Sequence, residues 1–358
     1  MKKRIIVVGG GYAGITIAEA FDGTHEVTLI EPREAFVHNV AAIRSIVEPA
    51  LLERLIIPYD RLLKNGKIMR AKAEQIEDGK VTLNDGCTVE GDIIIAATGS
   101  QYADPFKPRN GSMSDFRSQQ LKLHDSVNAS QNIVVVGAGP VGVELAAEII
   151  AIHPTKKVTI LAASDDVVPG VSTKLSRALR EQLTGLGIGM RLGVTVEGLQ
   201  QTDKPFAGEL RTGDETYSAD LVVPVFGARP VVVPMPGSVV QVSGRLTVDQ
   251  WMRPKGFERV FALGDVAENG DPMTVVAIRR QATWLKKALN AVLSGKSLES
   301  FPPYSPATKP LLLVPLGRKV GTSILPLSRS GMLAGSWATQ KLKGQDLFIK
   351  STRKELGY

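Results

Sequence analysis

The stretch that decides the fold covers residues 8–14 and reads Val8-Gly9-Gly10-Gly11-Tyr12-Ala13-Gly14. It follows the apolar run 5–8, which predicts a strand buried on both faces, and it precedes a segment with helical spacing. Gly9 permits a tight turn, Gly11 lets a pyrophosphate approach the backbone, and Gly14 lets the helix pack closely on the strand. Because the helix N-terminus also directs free N–H groups at a phosphate, this stretch predicts a dinucleotide cradle.

A second copy of this arrangement begins at residue 133. A predicted strand over residues 133–136 is followed by Gly137-Ala138-Gly139-Pro140-Val141-Gly142 and by a predicted helix over 143–152. Two cradles in one chain indicate that one dinucleotide reduces the other.

The two cradles differ at the end of the strand that reads the ribose. Glu31 ends that strand in the first unit and is placed to accept a hydrogen bond from a ribose hydroxyl. The second unit has Ala162-Ala163-Ser164 there, and small residues tolerate a 2′-phosphate. The sequence therefore allows NADPH as well as NADH, although Asp165 and Asp166 follow closely and could still bind a ribose hydroxyl.

Short apolar runs alternate with helical patterns along the chain, which is typical of parallel α/β structure. We predict an α/β fold with two Rossmann-like dinucleotide-binding domains and a small α+β C-terminal region. Residues 67–96 predict antiparallel strands, residues 273–293 a helix, and the Pro-rich residues 301–310 a linker.

Three further segments resemble motifs of the two-dinucleotide-binding flavoprotein superfamily. Residues 93–100, Ile-Ile-Ile-Ala-Ala-Thr-Gly-Ser, resemble its Ala-Thr-Gly strand end, and residues 261–265, Phe-Ala-Leu-Gly-Asp, resemble its late Gly-Asp motif. Residues 226–230 are similar to its segment leaving the NAD(P) domain. Within the superfamily, residues 38–44, His-Asn-Val-Ala-Ala-Ile-Arg, and the segment from Lys343 to Phe348 resemble the ferroptosis suppressor and apoptosis-inducing-factor-like family.

The resemblance implies an FAD-dependent NAD(P)H:quinone oxidoreductase. FAD then occupies a discontinuous domain of residues 1–111 and 236–300, NADH or NADPH binds residues 112–235, and residues 301–358 form a C-terminal domain facing the acceptor site or a membrane. It further implies that Asp265 bonds the ribityl chain, that Arg44 contacts the flavin cofactor, that Glu144 lies by the nicotinamide, and that Lys343 lies near the acceptor. The predicted catalytic residues are Glu144 and Lys343. The predicted cofactor-binding residues are Gly9, Gly10, Gly11, Tyr12, Ala13, Gly14, Glu31, Arg44, Ala97, Thr98, Gly99, Gly137, Gly139, Pro140, Gly142, Glu144, Gly264 and Asp265.

Composition excludes some chemistries and leaves two alternatives. A single cysteine, Cys87, excludes the Cys pair through which glutathione-reductase-type relatives pass electrons, and the four scattered histidines predict no metal site. A type II NADH dehydrogenase of a respiratory chain shares these motifs. A redox-switched binding protein with nucleic-acid affinity ranks lower, because the net charge of +7 is spread along the chain rather than packed into basic blocks.

The sequence predicts a cytoplasmic protein and leaves a peripheral membrane contact open. We expect no signal peptide and no membrane span, since the first apolar run is too short and no run reaches about 18 residues. Lys2 excludes N-myristoylation. Near the C-terminus, Leu347, Phe348 and Ile349 form an apolar triplet among basic residues, which either packs on the protein or touches an anionic membrane. The acceptor's identity and the oligomeric state are not encoded in these patterns.

Overall fold

The computed structural model describes residues 2–109 and 111–358 of the protein, so Met1 and Asn110 of the predicted first domain lie outside the described residues. The first domain is built on a five-stranded parallel sheet. Its strand order is Val260–Ala262, Ile93–Ala96, Arg4–Val8, Glu26–Ile30 and Lys67–Met69. The central strand is buried on both faces, as its continuous apolar run predicts. The chain returns to this sheet with Val260–Ala262, after it has formed the second five-stranded sheet.

Helices cover one face of the first sheet and a smaller sheet covers the other. The helices Tyr12–Asp22 and Val275–Leu293 pack on the face that carries Ile5 and Val7. The opposite face, with Ile6 and Val8, packs against an antiparallel sheet. The strands of that smaller sheet are Ala73–Glu77, Lys80–Leu83 and Thr88–Glu90.

The prediction that residues 67–96 form antiparallel strands is wrong at both ends. Lys67–Met69 and Ile93–Ala96 pair in parallel with Glu26–Ile30 and Arg4–Val8 in the main sheet. Ile93–Ala96 is buried at all four positions, because it lies inside the sheet with both faces covered. Its unbroken apolar character, without alternation, is the mark of such a strand.

The second domain repeats the first with one antiparallel edge. Its strand order is Gly189–Leu192, Lys157–Ala162, Asn132–Val136, Glu215–Pro224 and Phe206–Thr212, of which the last runs antiparallel to its neighbour. Its helices are Met113–Ala129, Pro140–Ile152 and Thr173–Gly185. The two predicted Rossmann-like units are therefore confirmed.

The C-terminal region is a small α+β unit. Strands Leu312–Leu316, Val320–Leu325 and Met332–Ala334 form an antiparallel sheet. The helix Ser336–Thr339, a π-helical turn at Gln340–Gly344 and the helix Ile349–Glu355 follow. Residues 301–310, predicted as a linker, contain no helix or strand.

Short elements complete the chain. In residues 2–109 and 111–358, three two-stranded pairs join Ala35–Val37 to Ile56–Pro58, Ser100–Gln101 to Arg229–Pro230, and Leu246–Thr247 to Ala267–Glu268. The short helices and 3₁₀ turns are Asn39–Ala42, Arg44–Ile46, Pro49–Leu51, Leu52–Leu55, Gly264–Val266 and Leu298–Ser300. Among the helices of residues 2–109 and 111–358, none has the length and apolar character needed to cross a bilayer.

Candidate functional site

Two adjoining cavities lie along the first cradle and at the junction of the three parts of the chain. The cradle cavity, of about 510 Å³, is lined by the turn after the central strand and by residues 97–101. The inner cavity, of about 260 Å³, takes its walls from both domains and from the C-terminal region. The residues that line both cavities are Tyr12, Asn39, Lys107, Asp265 and Ile278. This shared wall makes the two cavities neighbours, so one extended ligand could reach from one into the other.

The first cradle has the geometry that its glycines predict. Gly9 has a φ of +103°, and a Cβ there would lie 2.5 Å from the carbonyl oxygen of Ala97. A Cβ on Gly14 would collide with the carbonyl oxygen of Gly9. At Gly11, by contrast, a Cβ would meet no atom of the described residues within 4 Å. The backbone is therefore packed tightly behind the turn and open in front of it, as the approach of a pyrophosphate requires.

Glu31 forms part of the cradle cavity wall. Its carboxylate accepts the N–H of Gly10 at 2.5 Å and pairs with Arg33 at 2.8 Å. Burial opposes ionisation of Glu31, but the charge and hydrogen bonds of Arg33 outweigh it and lower the pKa of the carboxyl. The side chain is thus an anionic acceptor beside the cradle, suited to a ribose hydroxyl.

Asp265 carries an unpaired buried oxygen at the junction of the cavities. Its Oδ2 accepts a hydrogen bond from Ser100 Oγ at 2.5 Å and lies 3.5 Å from Lys107 Nζ. The described part of the chain supplies no partner for its Oδ1. Because buried polar atoms nearly always have a partner, this oxygen fits a hydroxyl-bearing ligand such as a ribityl chain.

The second cradle repeats the steric pattern of the first. Gly137 has a φ of +126°, and a Cβ there would lie 2.5 Å from the carbonyl oxygen of Val225. A Cβ on Gly142 would collide with the carbonyl oxygen of Gly137, whereas one on Gly139 would meet no described atom within 4 Å. The helix Pro140–Ile152 begins directly after this turn.

Backbone hydrogen bonds show which residues of the two units correspond at the predicted ribose-reading positions. Gly9 N donates to the carbonyl of Ile30 at 2.9 Å, and Gly137 N donates to that of Leu161 at 2.8 Å. The next residues, Glu31 and Ala162, are therefore equivalent. A charged carboxylate stands in the first unit where the second has a methyl group.

Glu144 and Lys343, distant in sequence, meet in the inner cavity. Lys343 Nζ donates to Glu144 Oε1 at 2.5 Å and to the carbonyl of Leu313 at 3.1 Å. Burial raises the pKa of Glu144, and the ammonium of Lys343 opposes that rise. The two predicted catalytic residues thus form one ion pair on the wall of a largely apolar cavity.

Most other predicted cofactor-binding residues also lie on cavity walls. Those on the cradle cavity are Gly9, Gly11, Tyr12, Ala13, Glu31, Ala97, Thr98, Gly99, Gly264 and Asp265. Pro140 and Glu144 line the inner cavity, with Tyr12 and Asp265. Gly10 and Gly14 lie behind the turn, where Gly10 accepts a hydrogen bond from Tyr59 and Gly14 contacts the first strand.

Arg44, predicted to contact the flavin cofactor, lines neither cavity. Its side chain is 2% exposed, and its guanidinium donates to Glu148 and to the carbonyl of Gly344. Protein atoms therefore already satisfy this cation.

The apolar triplet near the C-terminus is not a surface patch. Leu347 and Ile349 are buried with Ala35, Val37 and their neighbours, which confirms the packing interpretation for these two residues. Phe348 lines the inner cavity instead.

His38 holds this C-terminal segment in place. Its Nε2 donates to the carbonyl of Leu347 at 2.5 Å, and its Nδ1 accepts from the hydroxyl of Tyr12 at 3.0 Å. Burial lowers the pKa of His38 to about 4, so the ring is neutral near pH 7.

Sequence reasoning missed Lys107. It lies in an irregular loop, lines both cavities and donates to Ser100 Oγ at 2.6 Å, while burial lowers its pKa. No sequence motif surrounds Lys107. It reaches the site because its loop folds back against Ser100, next to the first cradle.

Comparison with known proteins identifies the family. Residues 3–282 match the family model described as pyridine nucleotide-disulphide oxidoreductase. The chain belongs to this family. Membership makes the protein an oxidoreductase and implies that it binds FAD and a pyridine nucleotide, which the two cradles and the unpaired Asp265 oxygen fit.

The relatives confirm the predicted resemblance and fold class. The chain is 29% identical to apoptosis-inducing factor homolog B of Dictyostelium discoideum, over 97% of this chain and 95% of the relative. It is 27% identical to ferroptosis suppressor protein 1 of Xenopus tropicalis, over 99% and 96%. Two solved structures share the fold. Sulfide:quinone oxidoreductase from Aquifex aeolicus has a TM-score of 0.78 at 16% identity, over 99% of this chain and 92% of that one. NDH2 from Plasmodium falciparum in complex with NADH has a TM-score of 0.77 at 15% identity, over 99% of this chain and 97% of that one.

The open faces of Gly11 and Gly139 give a matched pair of variants. Gly11→Val should fold but purify without flavin absorbance, because the added methyl groups occupy the space in front of the first turn. Gly139→Val should retain flavin but be reduced by NADH or NADPH at least tenfold more slowly, on the order expected from losing a well-placed binding group. Flavin absorbance and anaerobic stopped-flow reduction measure the two effects. Full flavin content and wild-type reduction in both variants would show that neither turn is a dinucleotide cradle.

Proposed function

We propose that the protein is an FAD-dependent NAD(P)H:quinone oxidoreductase. The observation that carries this proposal is the inner cavity, where the end of the first cradle, the second cradle's helix and the C-terminal region contribute to one wall. FAD would accept hydride from NAD(P)H and pass the electrons to a quinone, so that NAD(P)H, one proton and quinone become NAD(P)⁺ and quinol. The names of the relatives, among them ferroptosis suppressor protein 1 and sulfide:quinone oxidoreductase, agree with an acceptor of this kind.

The residues have separable roles in this proposal. Gly11 admits the pyrophosphate of FAD, Glu31 accepts from its ribose, and Asp265 Oδ1 accepts from its ribityl chain. On the other side, the carboxylate of Glu144 orients the carboxamide of the nicotinamide. Such positioning supplies much of the catalytic effect when cofactors carry the chemistry.

The C-terminal region supplies the acceptor side. Residues 311–313 and Phe348 give the inner cavity apolar walls that suit a quinone ring. Lys343 donates a hydrogen bond to the quinone oxygen on which negative charge develops, and its pairing with Glu144 holds a proton near that oxygen. The exposed Cys87 is the one cysteine of the chain, so electrons leave through this cavity rather than through a disulfide.

The second nucleotide site accommodates NADPH as well as NADH in this proposal. Ala162 replaces the carboxylate that would repel a 2′-phosphate. Steady-state oxidation of NADH and NADPH by the purified protein should therefore proceed at comparable efficiency, with menadione and a ubiquinone analogue reduced faster than oxygen. Strict dependence on NADH, or turnover with oxygen alone, would contradict the proposal.

Variants of the two members of the ion pair should affect different half-reactions. Glu144→Ala should slow flavin reduction by NAD(P)H at least about tenfold. It should slow reoxidation by quinone less, because Lys343 keeps its hydrogen bond to the carbonyl of Leu313. Lys343→Met should slow reoxidation by quinone and leave reduction little changed. Lys341→Met, which removes a cation in the same π-helical turn but outside the cavity, is the control. Rapid-mixing experiments measure each step, and equal loss in both steps for both variants would indicate a purely structural ion pair.

We further propose that the C-terminal region contacts an anionic membrane surface. No Asp or Glu lies between Glu299 and Asp346 in the sequence, whereas this interval contains Lys309, Lys319, Arg329 and Lys341. Two further cations of the interval, Arg318 and Lys343, pair with Glu48 and Glu144 and do not contribute to this surface. Trp337 is 76% exposed and Leu327 65% exposed, and Lys341 Nζ lies 5.2 Å from the ring centroid of Trp337. Exposed apolar side chains among cations suit a headgroup interface. This surface takes the place of the predicted triplet at residues 347–349.

Vesicle binding tests this surface. The variant Trp337→Ser/Leu327→Ser should bind phosphatidylglycerol-containing vesicles about tenfold or more weakly, because both lost side chains would insert among the headgroups. Turnover of a water-soluble quinone should not change. The control is Val240→Ser/Val242→Ser, which removes exposed apolar side chains from the first domain. The membrane proposal would be contradicted if the wild type does not bind the vesicles or if added salt does not weaken its binding. Equal binding by the two double variants would also contradict it.

A further inference from the structure

Arg44 connects the three parts of the molecule through one guanidinium. Its Nε and Nη2 donate to Glu148 Oε1 at 2.9 and 2.8 Å, which joins the first domain to the helix Pro140–Ile152. Its Nη1 donates to the carbonyl of Gly344 at 2.5 Å, which joins both to the C-terminal region. Arg44 and Glu148 are both buried, so these contacts are shielded from solvent.

Each contact of Arg44 is adjacent to one member of the Glu144–Lys343 pair. Glu148 follows Glu144 by one helical turn, so the two carboxylates lie on the same face of their helix. Gly344 directly follows Lys343 at the end of the π-helical turn. Arg44 therefore attaches to both sides of the ion pair without lining the cavity.

The π-helical turn has its own reason to need a fixed partner. π-helical turns are rare and occur mostly where function requires an altered backbone path. At the start of this one, Gln340 donates to the carbonyls of Gly317 and Val320 at 3.0 and 2.6 Å. At its end, the carbonyl of Gly344 accepts from Arg44. The two anchors together determine where the turn presents Lys343.

We propose that Arg44 is a positioning residue, which acts through Gly344 and Glu148 to set the contact between Lys343 and Glu144. The effect on turnover rests on the proposed function, whereas the placement of Lys343 does not. A buried ion pair can often be replaced by apolar side chains of similar volume without loss of stability. What apolar side chains cannot replace is the donor to the Gly344 carbonyl, and this difference makes the role testable.

The experiment compares Arg44→Met, Arg44→Met/Glu148→Met and Arg44→Lys in the full-length protein. Arg44→Met should lower the melting temperature, because it leaves Glu148 buried and unpaired. The double variant should recover most of that melting temperature. It should still show kcat with a water-soluble quinone reduced about tenfold or more, KM little changed, and faster modification of Lys343 by an amine-reactive reagent. Peptide mapping by mass spectrometry locates the modified lysine.

Two comparisons keep the result interpretable. Arg117→Met/Glu53→Met removes a surface ion pair between other elements and should leave kcat and Lys343 modification unchanged. Arg44→Lys keeps a charge opposite Glu148 but has one nitrogen in place of the guanidinium fork, so it should fold even if the methionine variants do not, with the same loss of kcat and the same gain in modification. Wild-type kcat and wild-type Lys343 modification in a folded Arg44 variant would overturn the proposal. If the wild type reduces no quinone, the proposed function fails, and Lys343 modification still decides the role of Arg44.

Discussion

Two carboxylates, Glu144 and Glu148, are buried on one face of the helix that follows the second cradle. A buried charge without a partner is strongly destabilising, and a cation from elsewhere in the chain pairs with each of these two carboxylates. Lys343 comes from the C-terminal region and Arg44 from the first domain. The ion pairs that these buried carboxylates form therefore also join the three parts of the molecule. The inner cavity lies at that junction, so contacts that join the three parts also fix side chains of its wall.

Local patterns predict the cradles well because their physics is local. The turns at Gly9 and Gly137 depend on positive φ and on close contact with the adjacent strand, and both requirements are readable from neighbouring residues. Strand direction is different. Ile93–Ala96 lies beside Arg4–Val8 rather than in a hairpin, and its apolar run alone does not state which neighbour it will have. The predicted antiparallel arrangement failed there, while the two domains and the α+β C-terminal region were predicted as observed.

Site residues that depend on distant partners were harder to predict. Lys107 has a position in the site only because its loop returns to Ser100 and Asp265. Arg44 was expected to contact the flavin because residues 38–44 resemble a motif of the family. Such a resemblance indicates that a residue has a role, but it does not show which atoms the side chain contacts. In the structure its partners, Glu148 and Gly344, are far along the chain. The sequence left two interpretations for the apolar triplet at 347–349. Burial of Leu347 and Ile349 agrees with packing for these two residues, whereas Phe348 lines the inner cavity.

The C-terminal segment is held by groups whose charge does not change near neutral pH. Burial keeps His38 neutral, with a pKa of about 4, so its bonds to Tyr12 and to the Leu347 carbonyl persist as pH falls toward mild acidity. Tyr12 belongs to the first cradle and lines both cavities, and Leu347 precedes Phe348 in the inner cavity wall. A ligand in the first cradle would therefore contact Tyr12, whose hydrogen bond to His38 continues to the carbonyl of Leu347, the residue before Phe348. On the same cavity wall as Phe348 lies a pair of different character, in which Glu144, a carboxyl whose pKa burial raises, faces the ammonium group of Lys343. The site therefore combines a support whose hydrogen bonds do not depend on pH near neutrality with an ion pair, Glu144 and Lys343, that the proposed function puts beside the acceptor.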